Sequence, residues 1–287
     1  MHPTLQTPLS DQIARIHPLW VVLFVSLLLL IRVILASGRQ SWGRALSENV
    51  QFVIGLLLFN FLLLRPFVAQ AFYVPTGSML PTIREYDRIL ADRFSYRLGK
   101  PARGETVVFY PPREAIRPGD EDTPFVKRLI GLPGDTVEVR AARLWIGGEA
   151  VHPAAEGLAS LHDLLRARLG FDAAALKLFP EYVRVDGARR IPKTEIARAF
   201  GRPGGTPVTI RPGETLVNGR TLYEPYTRED PGYAMAPRRV GEDELFLMGD
   251  NRNNSFDSHV WGPIPRGQVV GRARFVFWPL SRAGTLR

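Results

Sequence analysis

Two long apolar runs open the chain. From Leu19 to Ala36 it reads LWVVLFVSLLLLIRVILA, with Arg32 as its only charge, and from Val50 to Leu64 it reads VQFVIGLLLFNFLLL, continuing across Arg65-Pro66 into FVAQAF. A helix rises about 1.5 Å per residue and a bilayer core is about 30 Å thick, so the first run is just enough helix to cross one. They predict two transmembrane helices, about 19–36 and 50–66, joined as a hairpin. A cleaved leader would have a shorter apolar core and small residues after it, whereas this chain runs into RQSWGR and a second apolar run. Arg39 and Arg44 in the joining segment, with Arg32 beside it and Glu48 opposing, place that segment in the cytoplasm and both termini outside; Arg15 pulls weakly the other way. Buried core helices are the alternative, and apolar character all round each run counts against it.

After Tyr73 the pattern shortens. DRILADRFSY, ETVVFY, DTVEVRAARLWIGGEAV, PVTIRPGETLVNGRTLYEPY, ELFLMGD and GRARFVFW are β-type runs separated by Pro and Gly turns. Gly147-Gly148 and Asn218-Gly219 are hairpin-turn signals between alternating stretches. The expected fold is therefore mainly β: residues 1–66 form a membrane anchor and 67–287 an antiparallel β domain outside the membrane. A partly helical insertion is expected at about 154–207, where SLHDLLRARLG and AAALKLF read as helical before the Pro/Gly-rich GRPGGTP.

Composition narrows the function. With 287 residues, 45% of them hydrophobic, the chain can hold an anchor and one sizeable domain. A formal net charge of +9 suits nucleic acid or anionic lipid, but no known basic-aromatic nucleic-acid motif is visible and the arginines are scattered. There is no cysteine, which excludes disulfides, thiolate metal sites and cysteine nucleophiles.

Three segments carry candidate chemistry. In Pro75-Thr76-Gly77-Ser78-Met79-Leu80-Pro81-Thr82 a serine follows Gly between two prolines, a rigid turn with an approachable hydroxyl, although such turns are common. A serine nucleophile needs a base. His2 and His17 precede the first run, His152 and His162 fall in or beside the insertion, and only His259 stands in a polar loop. Lys127, in FVKRLIGLPGD, is the other choice. A lysine works as base near neutrality only if burial lowers its pKa from about 10.4, a three-unit drop being worth about 4 kcal/mol. Phe125, Val126 and Leu129 can supply an apolar wall; an ordinary surface cation beside Arg128 is the plain alternative. The third segment, GDNRNNSFDSH from Gly249 to His259, reads as a hydrogen-bonded positioning loop. A calcium loop of EF-hand type is excluded by the missing glutamate at its twelfth position.

Taken together these segments resemble the bacterial type I signal peptidases. The family's Ser/Thr-Gly-Ser-Met-x-Pro-Thr box corresponds to Thr76–Thr82, its Lys-Arg-x-x-Gly-x-Pro-Gly-Asp box to Lys127–Asp135, and its Gly-Asp-Asn-Arg-x-Asn-Ser-x-Asp-Ser box to Gly249–Ser258. The Asp87-Arg88-Ile89-Leu90 segment and Gly262-Pro263 also match, while the insertion is covered by no motif. The resemblance implies a Ser-Lys dyad with Ser78 as nucleophile and Lys127 as base, and an oxyanion hole from the Thr76 hydroxyl and the Ser78 N–H. It implies that Ser255 holds the lysine amine and that Asp250 and Asp257 order the loop. Shallow pockets for small substrate side chains would draw on Phe72, Val74 and Val126. No metal and no cofactor is implied. The expected protein is a multi-pass enzyme of the bacterial inner membrane with its catalytic domain outside. Its partners would be the lipid bilayer and secretory preproteins, whose signal peptides it removes after Ala-x-Ala-type sequences, and not nucleic acid. His259 stands where the family often has arginine, which weakens the expectation of a salt bridge with Asp257 at neutral pH. Two other readings are a processing peptidase dedicated to a pilin or conjugation factor and an inactive membrane-anchored binding module. Intact Ser78 and Lys127 count against the second.

Overall fold

The computed structural model describes residues 18–37, 41–59, 69–93, 95–116, 123–172 and 174–286. Its contacts divide the chain into two units, Met1–Val68 and Ala69–Arg287.

In the first unit, helix α1 (Pro18–Ser37) and helix α2 (Ser41–Leu58) pack together, with Val25 and Ile54 buried and Arg32 Nη2 donating to Gln51 Oε1 at 2.6 Å. Leu30, Ile34, Phe52 and Leu56 are exposed. Helix α2 begins before the apolar run that predicts it, because Arg44, Ala45, Leu46 and Glu48 are good helix formers that hydropathy alone does not register. The end of the predicted second span, 60–66, lies outside the described residues. Among the described residues no helix is long and apolar enough to cross a membrane, so the two predicted spans are observed only as paired helices with apolar side chains outward.

The second unit is mainly antiparallel β, as the alternating runs predict. Its strands are β1 (Ala69–Tyr73), β2 (Arg88–Asp92), β3 (Thr106–Phe109), β4 (Phe125–Gly131), β5 (Thr136–Arg140), β6 (Arg143–Ile146), β7 (Glu149–Ala150), β8 (Leu176–Leu178) and β9 (Tyr182–Val185). They continue as β10 (Arg189–Pro192), β11 (Val208–Arg211), β12 (Glu214–Val217), β13 (Arg220–Thr221), β14 (Met235–Arg239), β15 (Glu244–Met248), β16 (Ile264–Pro265), β17 (Val269–Trp278) and β18 (Gly284–Thr285). One sheet runs β1-β2-β17-β3-β4-β15-β16, with β18 on β17; a second runs β13-β12-β5-β14. The turns at Gly147-Gly148 and Asn218-Gly219 all have positive φ, which the two-residue hairpins β6–β7 and β12–β13 require.

Period-two patterning sets what is inside. Ile89 and Ala91 point inward from β2, and Val137 and Val139 from β5, while Glu138 and Arg140 pair on the outer face. Strand β3, between β17 and β4, is buried at all four positions, as a central strand covered on both faces should be. Each fully buried Val, Ile or Leu contributes about 1.5–3 kcal/mol of apolar burial.

The segment expected as an insertion leaves the chain after β7 and returns at β11, whose pairing with β6 closes the excursion. It carries the sheet β10-β9-β8, helix α4 (Leu161–Leu169) and helix α5 (Lys193–Ala199), the four-residue helix α3 (Ser95–Leu98) preceding them in the chain. These elements share a core that includes Leu161, Leu165, Leu176, Val183, Ile191 and Ile196 and takes in Leu144 and Ile146 of β6 and Val208 and Ile210 of β11. The helical reading of AAALKLF is corrected: Leu176–Leu178 is a strand. Leu176 and Leu178 are buried on either side of a half-buried Lys177, a period of two, and their backbone N–H groups bond to Glu229 and Asp230.

Candidate active site

Strand β1 delivers the chain to a short 3₁₀ turn, Gly77–Met79, that holds Ser78. The turn is fastened from behind: Val74 and Tyr86 bond across it, and the buried Asp87 carboxylate accepts from Arg84 N and Arg282. Strand β4 places Lys127 opposite Val107 of β3, pointing at the same spot. Lys127 Nζ lies 2.6 Å from Ser78 Oγ, and both residues are buried, at 4% and 8% exposure. The charged amine donates in this bond; the neutral amine accepts the serine proton. Thr76 Oγ1 also points at Ser78 Oγ, from 3.4 Å.

Burial is what shifts the lysine. Its pKa falls to about 8, because desolvation outweighs the attraction of the Asp257 and Asp250 charges, which work to raise it. The apolar wall expected around it is partly observed: the Phe125 ring lies 5.7 Å from Nζ and Leu129 is fully buried. Val126 faces the other side of the pleat, where it packs with Phe72, Val74, Met79 and Ile83. The three pocket candidates Phe72, Val74 and Val126 thus meet in one cluster, in which Val74 is fully buried and the other two are partly open.

Strand β15, paired to β4, leads into the polar loop. Asp250, at its start, forms a buried two-point ion pair with Arg128, with both N···O distances 2.7 Å, and accepts Thr82 Oγ1 at 2.5 Å. The Arg128 guanidinium lies 3.9 Å above the Tyr226 ring. Asp257 caps helix α6 (Ser258–Trp261) and accepts Gly249 N at 2.8 Å and His259 N at 3.1 Å. Burial pushes its pKa up, but the bonds from His259 and Gly249 prevail and hold it below the usual carboxylate value. His259 Nδ1 is 2.7 Å from Asp257 Oδ1 and its ring stacks on Tyr233, so the imidazole that weakened the expectation of a salt bridge is nonetheless in contact with Asp257.

Ser255 is half-buried, its hydroxyl packed against Gly249. Among the described residues its Oγ makes no hydrogen bond of good geometry, to Lys127 or any other group, although it lies near enough to Asp257 to help lower that pKa. A Cβ on Gly249 would collide with Ser255 Oγ and the Ser78 carbonyl, which explains the glycine at this approach. Three contributors were not singled out from sequence. Asn251 donates from its backbone N to Ser78 O and from Nδ2 to Gly77 O, both at 3.0 Å; Thr82 bonds Asp250; Arg128 pairs with Asp250. The signal available for each was its place inside one of the three motifs, Asn251 and Arg128 directly beside the candidates Asp250 and Lys127.

A hydroxyl in contact with a buried amine that ionises near pH 8 can be deprotonated and act as a nucleophile, which is the chemistry of serine hydrolases working without histidine. The comparisons with known proteins give the class as serine endopeptidase. The family described as signal peptidase, peptidase S26, matches residues 46–167 and 193–278. The chain belongs to that family. It is 32% identical to the signal peptidase I of Leptolyngbya laminosa over 88% of this chain and 89% of the relative. It is likewise 32% identical to the probable signal peptidase I-2 of Synechocystis, over 85% and 75%, and 28% identical to the signal peptidase I of Pseudomonas aeruginosa, over 80% and 72%.

Proposed function

We propose that the protein is a membrane-bound endopeptidase that removes N-terminal signal peptides from exported preproteins, cutting after small side chains of the Ala-x-Ala type. The observation that carries this reading is the 2.6 Å contact between Ser78 Oγ and the buried Lys127 amine, in a chain of the signal peptidase family. Ser78 Oγ attacks the scissile carbonyl while neutral Lys127 takes its proton. The Thr76 hydroxyl and the Ser78 N–H then stabilise the oxyanion, each such donor being worth roughly 3 kcal/mol. Lysine returns the proton to the leaving amine, and water releases the acyl group by the same path reversed. Phe72, Val74 and Val126 form the apolar floor against which only short side chains fit. Helices α1 and α2, with Leu30, Ile34, Phe52 and Leu56 exposed, serve as the anchor in the bilayer.

The test is cleavage of a signal-bearing precursor by the detergent-solubilised full chain. Ser78→Ala and Lys127→Ala are each expected to abolish cleavage, at least 1,000-fold by rough analogy with other nucleophile-base units, and the double variant to lose little more. Near-normal turnover by either single variant would show the dyad to be wrong. Substituting the alanines on the signal side of the cut with a bulky residue should remove cleavage and so check the small-residue pockets.

A further inference from the structure

Past the nucleophile turn the surface opens into a groove that the mechanism leaves unused. A cavity of about 460 Å³ begins at Leu80 and Pro81, just after Ser78, and is lined also by Arg84, Lys177, Arg184 and Arg228. A second cavity, also about 460 Å³, shares Lys177 and Arg184 with it, so the groove continues along strands β8 and β9 of the insertion.

Lys177 and Arg184 stand directly opposite each other on the paired strands. Like charges in that register repel, a placement that costs stability unless an anion comes between them. Among the described residues neither forms a direct ion pair, although the Asp230 charge acts on both from the wall of the second cavity. Lys177 Nζ bonds to Thr227 Oγ1 at 3.1 Å and to two carbonyls, and Arg184 lies over the Phe179 ring with its Nε buried and without a hydrogen bond. Among the described residues no carboxylate comes within ion-pair distance of Arg84, Lys177, Arg184 or Arg228. The first cavity is lined by one carboxylate, Asp186, which accepts from the Ala175 N–H, against the four cations Arg84, Lys177, Arg184 and Arg228. In the second, Glu224 is held by Arg252, Glu214 accepts from Thr221 Oγ1 and lies 3.6 Å from Arg140, and Asp230 accepts Leu178 N.

The direction of a bound peptide follows from the sheet. Strand β1 is an edge of its sheet, and Phe72, Val74 and Val126 gather before Ser78, while the groove starts on the far side of the turn. A peptide whose signal side lies along β1 runs past Ser78 into the groove. We infer that this groove binds the segment of the substrate that follows the scissile bond and selects acidic side chains there. The inference rests on the peptidase reading above and adds a specificity site to it.

Two peptides identical up to the cut, with Asp/Glu or Asn/Gln in the next four positions, test it with the full chain in detergent. The acidic peptide is expected to show roughly fivefold higher kcat/KM at low ionic strength, the advantage shrinking with added salt. In Arg84→Glu/Arg228→Glu the preference should reverse toward a third peptide carrying Lys at those positions; because the ratio is taken within one protein, partial loss of folding does not imitate this result. A ratio near one in the unaltered protein, or one that the double variant leaves unchanged, would overturn the groove assignment. Failure to cut any of the peptides would count against the peptidase reading, so binding is measured separately on Ser78→Ala by fluorescence anisotropy of a labelled peptide made of the post-cut segment alone. Tighter binding of the acidic form than of the neutral form, lost in Arg84→Glu/Arg228→Glu, supports the groove independently of turnover; equal binding of the two overturns it.

Discussion

Lys127 owes its character to where strand β4 sets it down. The same amine on the outer face of a strand would be ionised throughout the accessible pH range; buried against Phe125 and Leu129 it ionises near pH 8. Only its neutral form can take the Ser78 proton, so the sign is fixed: activity is full above that pH and is lost as pH falls through it. The acid limb of kcat/KM for a peptide substrate should therefore have its midpoint near 8 and fall about tenfold per pH unit below. A flat profile down to pH 5, or a limb first appearing near pH 10, would show that no depressed lysine drives the reaction. Lys127→Arg should be as inactive as the alanine variant at every pH, since guanidinium does not give up its proton. Ser78 and Lys127 could be singled out from sequence because they lie in long motifs, and the fold brings the two side chains into contact. The fate of Ser255 was not legible, since a hydroxyl's partner is decided by a rotamer and by distances that only the folded loop supplies.

At the level of elements, the loop from Gly249 to Ser258 is tied to β4 by Asp250 on Arg128 and drawn together by Asp257, which accepts Gly249 N and faces His259. The first is a fully buried ion pair, and removing one member strands the other charge in a dry site. Asp250→Ala and Arg128→Ala are each expected to cost about 3–5 kcal/mol, read as a lowered urea midpoint, with activity falling as the loop shifts. An apolar pair of similar volume, Arg128→Met/Asp250→Leu, should cost less than either single change. Equal stability of Asp250→Ala and the unaltered protein would mean that the pair does not organise the loop. Hairpins such as β12–β13 were legible because Asn-Gly demands positive φ at both positions. Strand β8 was not: a short apolar stretch with alanines before it satisfies helix and strand patterns alike, and its pairing with β9 and its bonds to Glu229 and Asp230 decide the matter from distant sequence.

For the molecule as a whole, the two units bear different tests. If α1 and α2 anchor the chain as proposed, a reporter fused near Gly43 should be protected on the cytoplasmic side and one fused after Arg287 should be accessible outside. The reverse result would put Ser78 in a compartment where exported precursors do not present their cut sites. In the second unit, mainly antiparallel β architecture could be read from turn spacing and alternation, whereas the core that the insertion shares with β6 and β11 could not. Leu165, Leu176, Ile191 and Ile196 are far apart in sequence and follow mixed periods, so nothing local announces that they converge.

The double tie from Asn251 to the Gly77 and Ser78 carbonyls has a consequence for aim. In a trans peptide the C=O and the following N–H point in opposite directions. Anchoring Gly77 O to Asn251 Nδ2 therefore turns the Ser78 N–H away from the loop, outward to the face from which a scissile carbonyl would approach. Asn251 works as a compass needle's pivot: it touches no reacting atom, yet it sets the bearing of one that would. Asn251→Ala should lower kcat by roughly tenfold with KM little changed, the mark of a donor misdirected in the transition state and not of a weakened grip on substrate.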